Sequence, residues 1–225
     1  MAKKKQKQEE NLETVQEALN TSSRWIEKHQ NLLMWILIAI LAIVVAVMAL
    51  NNYYLAPKSN EANEEVAKAV VYFADNNFLT AVNGDEADCL GFAAIADEYG
   101  MFKGGKLAAL YAGICYYNLG QYEDAVTYLK KFSGDDLNIA PAAKMKLGDA
   151  YVALDQADKA VKEFEAAAKS ENGIIAPIAL KKAGIAYLSS DNKKAAKQAF
   201  QTIKDKYATS AEAQDIDKYI ANIAD

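Results

Sequence analysis

Few side chains of this 225-residue chain occur in patterns that support catalysis or metal binding. The one histidine, His29, lies beside a long apolar run and has no partner nucleophile, which favours a solvated side chain over a general base. The segment GMFKGGK at 100–106 lacks the preceding strand and the following Ser or Thr of a phosphate-binding loop. Acidic pairs such as Asp135-Asp136 and Asp85-Glu86 lack the ligand spacing of a calcium loop. We therefore expect no enzyme activity, no cofactor and no metal site.

The two cysteines, Cys89 and Cys115, each lie in an apolar stretch that is expected to be helical. A lone cysteine in such a stretch usually serves as a small buried hydrophobic residue. In an oxidising compartment the two could also form a disulfide, provided that their Cα atoms come within about 7 Å. The sequence leaves both alternatives open.

The longest apolar run, LLMWILIAILAIVVAVMAL at 32–50, contains 19 residues without a charge. As a helix rising about 1.5 Å per residue it would extend about 28 Å, close to the ~30 Å hydrocarbon core of a bilayer. Trp25 and Trp35 lie near one end of the run and Tyr53 and Tyr54 near the other, as in an interfacial aromatic belt. We therefore predict a transmembrane helix over 30–55. The alternative, a cleaved signal peptide, has a shorter apolar region and a shorter polar leader.

Charges on the two sides of this run predict its orientation. Residues 1–29 contain six basic and five acidic side chains, whereas the fifteen residues after the run contain one lysine and three glutamates. The positive-inside rule then places the N-terminus in the cytoplasm and the C-terminal domain in the periplasm, so that the protein is a single-pass protein of the cytoplasmic (inner) membrane. Because the exported part is acidic, nucleic acid is an unsuitable partner. Leu12, Val15, Leu19 and Ile26 predict a cytoplasmic amphipathic helix over 1–29, which either lies on the membrane surface or docks a cytoplasmic partner.

A glycine-centred pattern occurs three times in the second half of the chain. Gly113, Gly148 and Gly184 are 35 and 36 residues apart, and a tyrosine, an alanine and a large apolar residue follow each of them at 3, 12 and 16 residues. The first two of these positions are Tyr116, Tyr151 and Tyr187, then Ala125, Ala160 and Ala196; the third is Leu129, Phe164 and Phe200. Small residues let two helices approach closely and the aromatic residues fill the space around the contact. Each unit therefore predicts a helix pair that must stack on its neighbours to bury its apolar face.

These positions resemble the tetratricopeptide repeat, whose period is about 34 residues. The resemblance implies an all-α superhelical repeat domain that binds proteins rather than small molecules. A cytoplasmic helix, one membrane span and an acidic repeat domain together resemble the YfgM-type tetratricopeptide proteins. That resemblance implies an ancillary role beside the Sec translocon with periplasmic chaperones.

The first helices of tetratricopeptide units line a concave groove, so the resemblance assigns the candidate partner-binding residues. They are Leu110, Ile114, Tyr117, Asn118, Met145, Asp149, Val152, Lys181, Ile185 and Leu188, with Ala153 and Ser189 at equivalent positions. Because most of them are apolar, the family's clamp for a C-terminal carboxylate is absent, and an apolar helix or unfolded segment is the expected ligand. The alternative is that the chain's own helix over 61–82, with Val66, Val70 and Phe73, fills the groove.

The domain organisation follows from these segments. After the helix over 1–29 and the span over 30–55, we predict a degenerate helix pair over 60–103 with a turn at Asn83-Gly84-Asp85. Three repeats over 104–207 and a C-terminal capping helix over 208–225, with Ser210 as N-cap, complete the chain. The predicted function is a membrane-tethered scaffold whose partner is a translocon subunit, a chaperone or a secretory chain. A structural scaffold of a cell-envelope complex, with a closed groove, is the alternative.

Overall fold

The computed structural model describes residue 25 and residues 28–85, 87–170 and 172–223. The amphipathic helix predicted over 1–29 lies almost entirely outside these residues. The described part of the chain forms helices and turns without a strand, which confirms the all-α prediction. The chain divides into two compact units, Met1–Pro57 and Lys58–Asp225.

The first unit contains the apolar run as helix α1 (residues 28–50), followed by a π-helical turn at Asn51–Leu55. The large side chains of the run are mostly exposed, and none of its most apolar window is buried. A helix that is apolar on all sides and packs against no protein core would be insoluble in water. By length and composition α1 can cross a membrane.

The helices of the second unit are α2 (Ala56–Ala74, whose first two residues belong to the first unit), α3 (Phe78–Asn83), α4 (Phe92–Glu98), α5 (Lys103–Asn118), α6 (Tyr122–Lys131), α7 (Ile139–Ala153), α8 (Ala157–Ala168), α9 (Ile175–Ser189), α10 (Lys193–Lys206), a 3₁₀ turn (Ala211–Gln214) and α11 (Ile216–Ile223). The segment over 60–103 thus contains three helices where the sequence suggested a pair. The first predicted helix is interrupted because Asn76 adopts φ +58° and Asn77 accepts the N–H of Thr80 to begin α3.

A carboxylate organises the loop between α3 and α4. Asp85 Oδ1 accepts the backbone N–H groups of Ala87, Asp88 and Cys89 at 2.9–3.0 Å, and Asp85 Oδ2 accepts the Tyr72 hydroxyl at 2.5 Å. The Tyr72 hydroxyl first, and then the three N–H groups, lower the pKa of Asp85 well below its ordinary value of 3.8. The folded loop therefore stabilises the ionised form of Asp85.

This loop gives a pH-dependent contribution to stability. A carboxyl group whose pKa is lower in the folded state stabilises fully above its ordinary pKa, and that contribution disappears as the pH falls through the folded value. We expect the difference in unfolding free energy between wild type and Asp85→Asn to be constant above about pH 5 and to shrink below about pH 4. Urea unfolding at pH 6 and pH 3 measures it, and a difference that is unchanged at pH 3 would contradict the assignment.

The three repeats end their first helices in the same way. Gly120, Asp155 and Asp191 occupy the left-handed region at φ +77°, +56° and +54°. The residue after each donates its N–H across the turn to a tyrosine carbonyl at 2.8 Å: Gln121 to Tyr116, Gln156 to Tyr151 and Asn192 to Tyr187. This is the Schellman arrangement, which satisfies the last carbonyl groups of a helix and reverses the chain. Two repeats therefore keep the turn conformation without its usual glycine.

Replacing one of these aspartates tests the strain of the turn. The left-handed conformation destabilises a residue other than glycine by about 1–2 kcal/mol, a cost that glycine avoids. Glycine, however, loses more conformational freedom on folding, which offsets about 0.5–1 kcal/mol of this gain. We expect Asp191→Gly to raise the free energy of unfolding by about 0.5 kcal/mol. Asp205→Gly, in the last turn of α10, is the matched control and should lower it by a few tenths of a kcal/mol, because glycine has a slightly lower helix propensity than aspartate. Equal changes in urea unfolding of the two variants would contradict this prediction.

The C-terminal segment closes the last repeat, although it is not the single helix that the sequence suggested. The Ser210 hydroxyl accepts the N–H of Ala213 and begins the 3₁₀ turn, and α11 follows after Asp215. Ile216 is buried at 1% exposure in one apolar cluster with Phe200 and Ile203. The segment therefore covers the apolar side of α10 that a further repeat would otherwise cover.

Candidate binding groove

Close helix contacts hold the first helices of the repeats, α5, α7 and α9, in position. A Cβ atom added to Gly148 would lie 2.5 Å from Cε1 of Phe164, and one added to Gly113 would lie 2.5 Å from Cγ of Leu129. A Cβ atom on Gly184 would likewise collide with the Phe200 ring. These distances are far inside van der Waals contact, so each first helix can approach its second helix only at a glycine.

The other repeated positions lie around these contacts. Ala125, Ala160 and Ala196 on the second helices have no exposed surface. The tyrosines pack along the first helices: Tyr116 stacks on Tyr128 with ring centroids 5.3 Å apart, Tyr151 is 5% exposed, and the Tyr187 hydroxyl donates to Glu165 at 2.6 Å. These contacts fix the orientation of each first helix against its second helix. The opposite side of each first helix faces the first helices of the neighbouring repeats.

A cavity of about 520 Å³ opens along α7 and α9, and we call it the groove pocket. Its lining residues are Tyr117, Asp149, Val152, Ala153, Asp155, Ala157, Phe164, Lys182, Ile185, Ala186 and Ser189. Val152 on α7 is 52% exposed and Ile185 on α9 is 46% exposed. Apolar side chains so accessible on adjacent walls of a concavity provide a surface that a ligand can cover.

Charged groups occupy one side of the groove pocket. Lys182 Nζ lies 2.7 Å from Asp149 Oδ1, and Lys146 Nζ lies 3.7 Å from Asp149 Oδ2. The Lys146 ammonium also lies 4.4 Å from the centroid of the Tyr117 ring. Burial first, and then the charge of Asp149, raises the pKa of Tyr117, so its hydroxyl stays protonated and can donate. The pocket thus places apolar walls beside donors and acceptors that could orient a bound segment.

The predicted groove residues separate into two groups. Six of them line the groove pocket: Tyr117, Asp149, Val152, Ala153, Ile185 and Ser189. The six others pack elsewhere or face other partners, and they are Leu110, Ile114, Asn118, Met145, Lys181 and Leu188. Leu110 is buried, and Ile114 and Met145 pack partly buried against the same apolar cluster. Leu188 packs against the C-terminal cluster.

Two polar members of the second group already have partners in the chain. Lys181 Nζ is 2.7 Å from Asp215 Oδ1, and this ion pair connects α9 to the C-terminal segment. The hydrogen bond from Lys181 is the main cause that lowers the pKa of Asp215. The Asn118 amide donates to the carbonyl of Ile114 on its own helix at 2.9 Å. These contacts favour a structural position for both side chains.

Several pocket residues were missed in the sequence. Lys182 precedes Gly184 by two residues, next to the predicted Lys181, and its ion pair to Asp149 crosses from α9 to α7. Phe164 belongs to a second helix and was assigned only to packing, yet its ring also borders the pocket. Asp155, in the left-handed turn after α7, also lines the pocket. In the sequence, the one indication of this ion pair is that Asp149 and Lys182 have opposite charges and are 33 residues apart, close to one repeat period.

The chain's own helix α2 packs at a different place. Val66 and Ala69 are buried with Phe92 in the cluster that also contains Cys115, and Phe73 stacks edge-on against Tyr111 at 5.0 Å. No residue of α2 is among those that line the groove pocket. The helix α2 therefore does not fill the groove pocket.

None of the described residues first considered for chemistry lines this pocket. Within 28–85, 87–170 and 172–223 no group of three or more metal-ligand side chains comes together. His29 lies in the first turn of α1, and its Nδ1 is 2.8 Å from the carbonyl oxygen of Trp25. Cys89 and Cys115 are both buried free thiols, and burial raises the pKa of Cys115 to about 12, which suppresses its thiolate.

Comparison with known proteins supports the repeat architecture. Family models of the tetratricopeptide repeat match residues 107–134 and 179–210, and another such model matches residues 141–172. These ranges correspond to the pairs α5–α6, α9–α10 and α7–α8, so each of the three helix pairs matches a model of this repeat. No curated protein matches the chain. Among solved structures, MamA is similar at 22% identity and a TM-score of 0.42, over 59% of this chain and 86% of that chain.

Proposed function

We propose that the protein is a membrane-tethered scaffold that binds an extended or helical segment of a partner protein in the groove pocket. The observation that carries this proposal is the open pocket with two half-exposed apolar side chains, Val152 and Ile185, beside the Asp149–Lys182 ion pair. A helix with an apolar face, or an unfolded chain, could cover these side chains while its polar groups meet the charged side.

The second part of the proposal is the location. The helix α1 anchors the protein in the cytoplasmic membrane, with the repeats on the periplasmic side, as the excess of lysines before α1 favours. Tethering would confine the repeat domain to a thin layer next to the membrane. In that layer weak groove binding suffices, because the effective concentration of membrane-bound partners is high.

The third part is the class of partner. The resemblance to YfgM-type proteins favours a translocon subunit, a periplasmic chaperone or an emerging secretory chain. Such segments expose apolar residues before they fold or assemble, which agrees with the apolar walls of the pocket. We expect the protein to act by binding alone, without catalysis.

Affinity capture of tagged full-length protein from cross-linked, detergent-solubilised membranes tests this function. Proteins that the wild type captures and the variant Val152→Glu with Ile185→Glu does not are those bound through the groove. Translocon subunits or exported chaperones in that set would support the proposal. Cell-wall or envelope machinery captured equally by both baits would favour the structural scaffold with an unused groove.

A further inference from the structure

Three of the loops in the second unit expose large apolar side chains. Among the described residues of that unit, Met101, Leu137 and Ile174 are the most exposed large hydrophobic residues, at 72%, 76% and 76%. Each lies one or two residues before the first helix of a repeat, which begins at Lys103, Ile139 or Ile175. Repeat packing does not use these side chains, and their shared position before each first helix distinguishes them from singly scattered exposed residues.

The three side chains lie at one end of the unit. We call this end, where α5, α7 and α9 begin, the loop edge (residues 99–103, 132–139 and 172–175). Asn172 Nδ2 donates to Asn138 Oδ1 at 2.7 Å, which holds the loops before α7 and α9 side by side. Lys131 at the end of α6 pairs with Asp97 near the end of α4 at 2.5 Å, so the loop that contains Leu137 starts close to the loop that contains Met101.

The chain also enters the unit at the loop edge. Lys58 Nζ lies 4.0 Å from Glu98 Oε1 and 5.3 Å from the centroid of the Tyr99 ring, immediately before the Met101 loop. Further along α2, Phe73 contacts Tyr111 in the later part of α5. The helices α2 and α5 therefore run in the same direction, and both begin at the loop edge.

The length of the tether limits how far this edge can be from lipid. Only residues 51–57 separate the apolar run, which ends at Leu50, from Lys58. Even a fully extended chain of this length spans no more than about 30 Å. If α1 crosses a bilayer, the start of α2, which lies at the loop edge, can be no farther than this from the end of the apolar run.

The charges at the loop edge and at the helix ends next to it are of both signs. Lys130 and Lys131 end α6 and Lys204 and Lys206 end α10, whereas Asp135 and Asp136 lie in the loop before α7. A strongly charged partner would therefore gain little on this edge. Isolated aliphatic tips between charged residues instead suit the interfacial layer of a bilayer, where apolar groups enter between headgroups while lysines stay in water.

We propose that Met101, Leu137 and Ile174 insert into the surface of the membrane that anchors the protein, so that the repeat domain rests on lipid through its loop edge. This proposal depends on the anchor of the proposed function and adds a second, lipid-binding surface to it. Contact at the loop edge leaves the groove pocket free for a partner segment.

The test uses the full chain in vesicles of phosphatidylethanolamine and phosphatidylglycerol that contain a lipid with a spin label high on its acyl chain. A bimane fluorophore is attached in separate samples to Leu137→Cys, Ile174→Cys or the control Lys193→Cys. Lys193 begins α10 and follows the α9–α10 turn, at the other end of the helices. Cys89 and Cys115 are 7% and 0% exposed, so wild type reports any background labelling.

We expect quenching by the spin-labelled lipid at positions 137 and 174 to be at least about twice that at position 193. Equal quenching at the three positions would overturn the loop-edge contact. The two tryptophans, Trp25 and Trp35, report separately on the anchor in the same samples. Quenched tryptophans with unquenched labels would refute this inference alone, whereas unquenched tryptophans would refute the anchor and, with it, this inference.

Discussion

Gly148→Ala is expected to lower the free energy of unfolding by about 1–3 kcal/mol. In an ordinary helix interior the same change stabilises by about 0.5–1 kcal/mol, because alanine has less freedom to lose. Here the new Cβ atom would lie 2.5 Å from Cε1 of Phe164, whose side chain is 1% exposed, so the ring would have to shift out of its packed position. The sign of the effect therefore depends on the helix contact rather than on helix propensity. Urea unfolding of the two proteins measures it.

Gly173→Ala is the matched control, because no atom lies within 4 Å of a Cβ added there. It should change the unfolding free energy by less than about 0.5 kcal/mol. A double-mutant cycle with Phe164→Leu isolates the contact, and the smaller side chain should make Gly148→Ala less destabilising than it is in wild type. A stabilising effect of Gly148→Ala in wild type would show that α7 and α8 are not so closely packed.

Val152→Glu combined with Ile185→Glu is expected to weaken partner binding by about 100-fold or more, with little change in stability. Both side chains are about half exposed in the free protein, so their replacement removes little core packing. In the bound state the carboxylates would be desolvated against an apolar segment, at a cost of several kcal/mol, and every 1.4 kcal/mol is tenfold in affinity. Titration of the captured partner against purified wild type and variant measures the loss.

Val71→Glu combined with Leu79→Glu provides the control for charge. These residues are 61% and 59% exposed on α2 and α3, outside the groove pocket. The control variant should bind the partner with unchanged affinity. Equal weakening by both double variants would indicate that added negative charge, and not the groove, determines binding.

Sequence patterns located the repeats because their packing leaves a strict signature. Gly148 and Phe164 must occur sixteen residues apart for the two helices to touch, so the contact is visible as spacing. Family models match the same three segments. The left-handed turns at Asp155 and Asp191 had no such signature, since aspartate tolerates that conformation without requiring it.

The groove itself was harder to predict from one-dimensional spacing. Lys181 and Lys182 are neighbours with the same chemistry, and only the rotation of α9 decides that Lys182 meets Asp149 while Lys181 meets Asp215. The segment over 60–103 shows the same limit, because a left-handed residue at Asn76 ended a helix that the apolar pattern continued. Long-range contacts determine such details, and the local sequence does not encode them alone.

The central claim is that the groove pocket is the surface that binds a partner protein. Site-specific photo-crosslinking in intact cells tests it most directly, with p-benzoylphenylalanine placed at Ile185 and, as a control, at Lys193 on the exposed start of α10. We predict a discrete protein adduct from position 185 that is absent from position 193. Adducts from position 193 with none from position 185 would contradict the account and assign binding to the outer surface of the repeats.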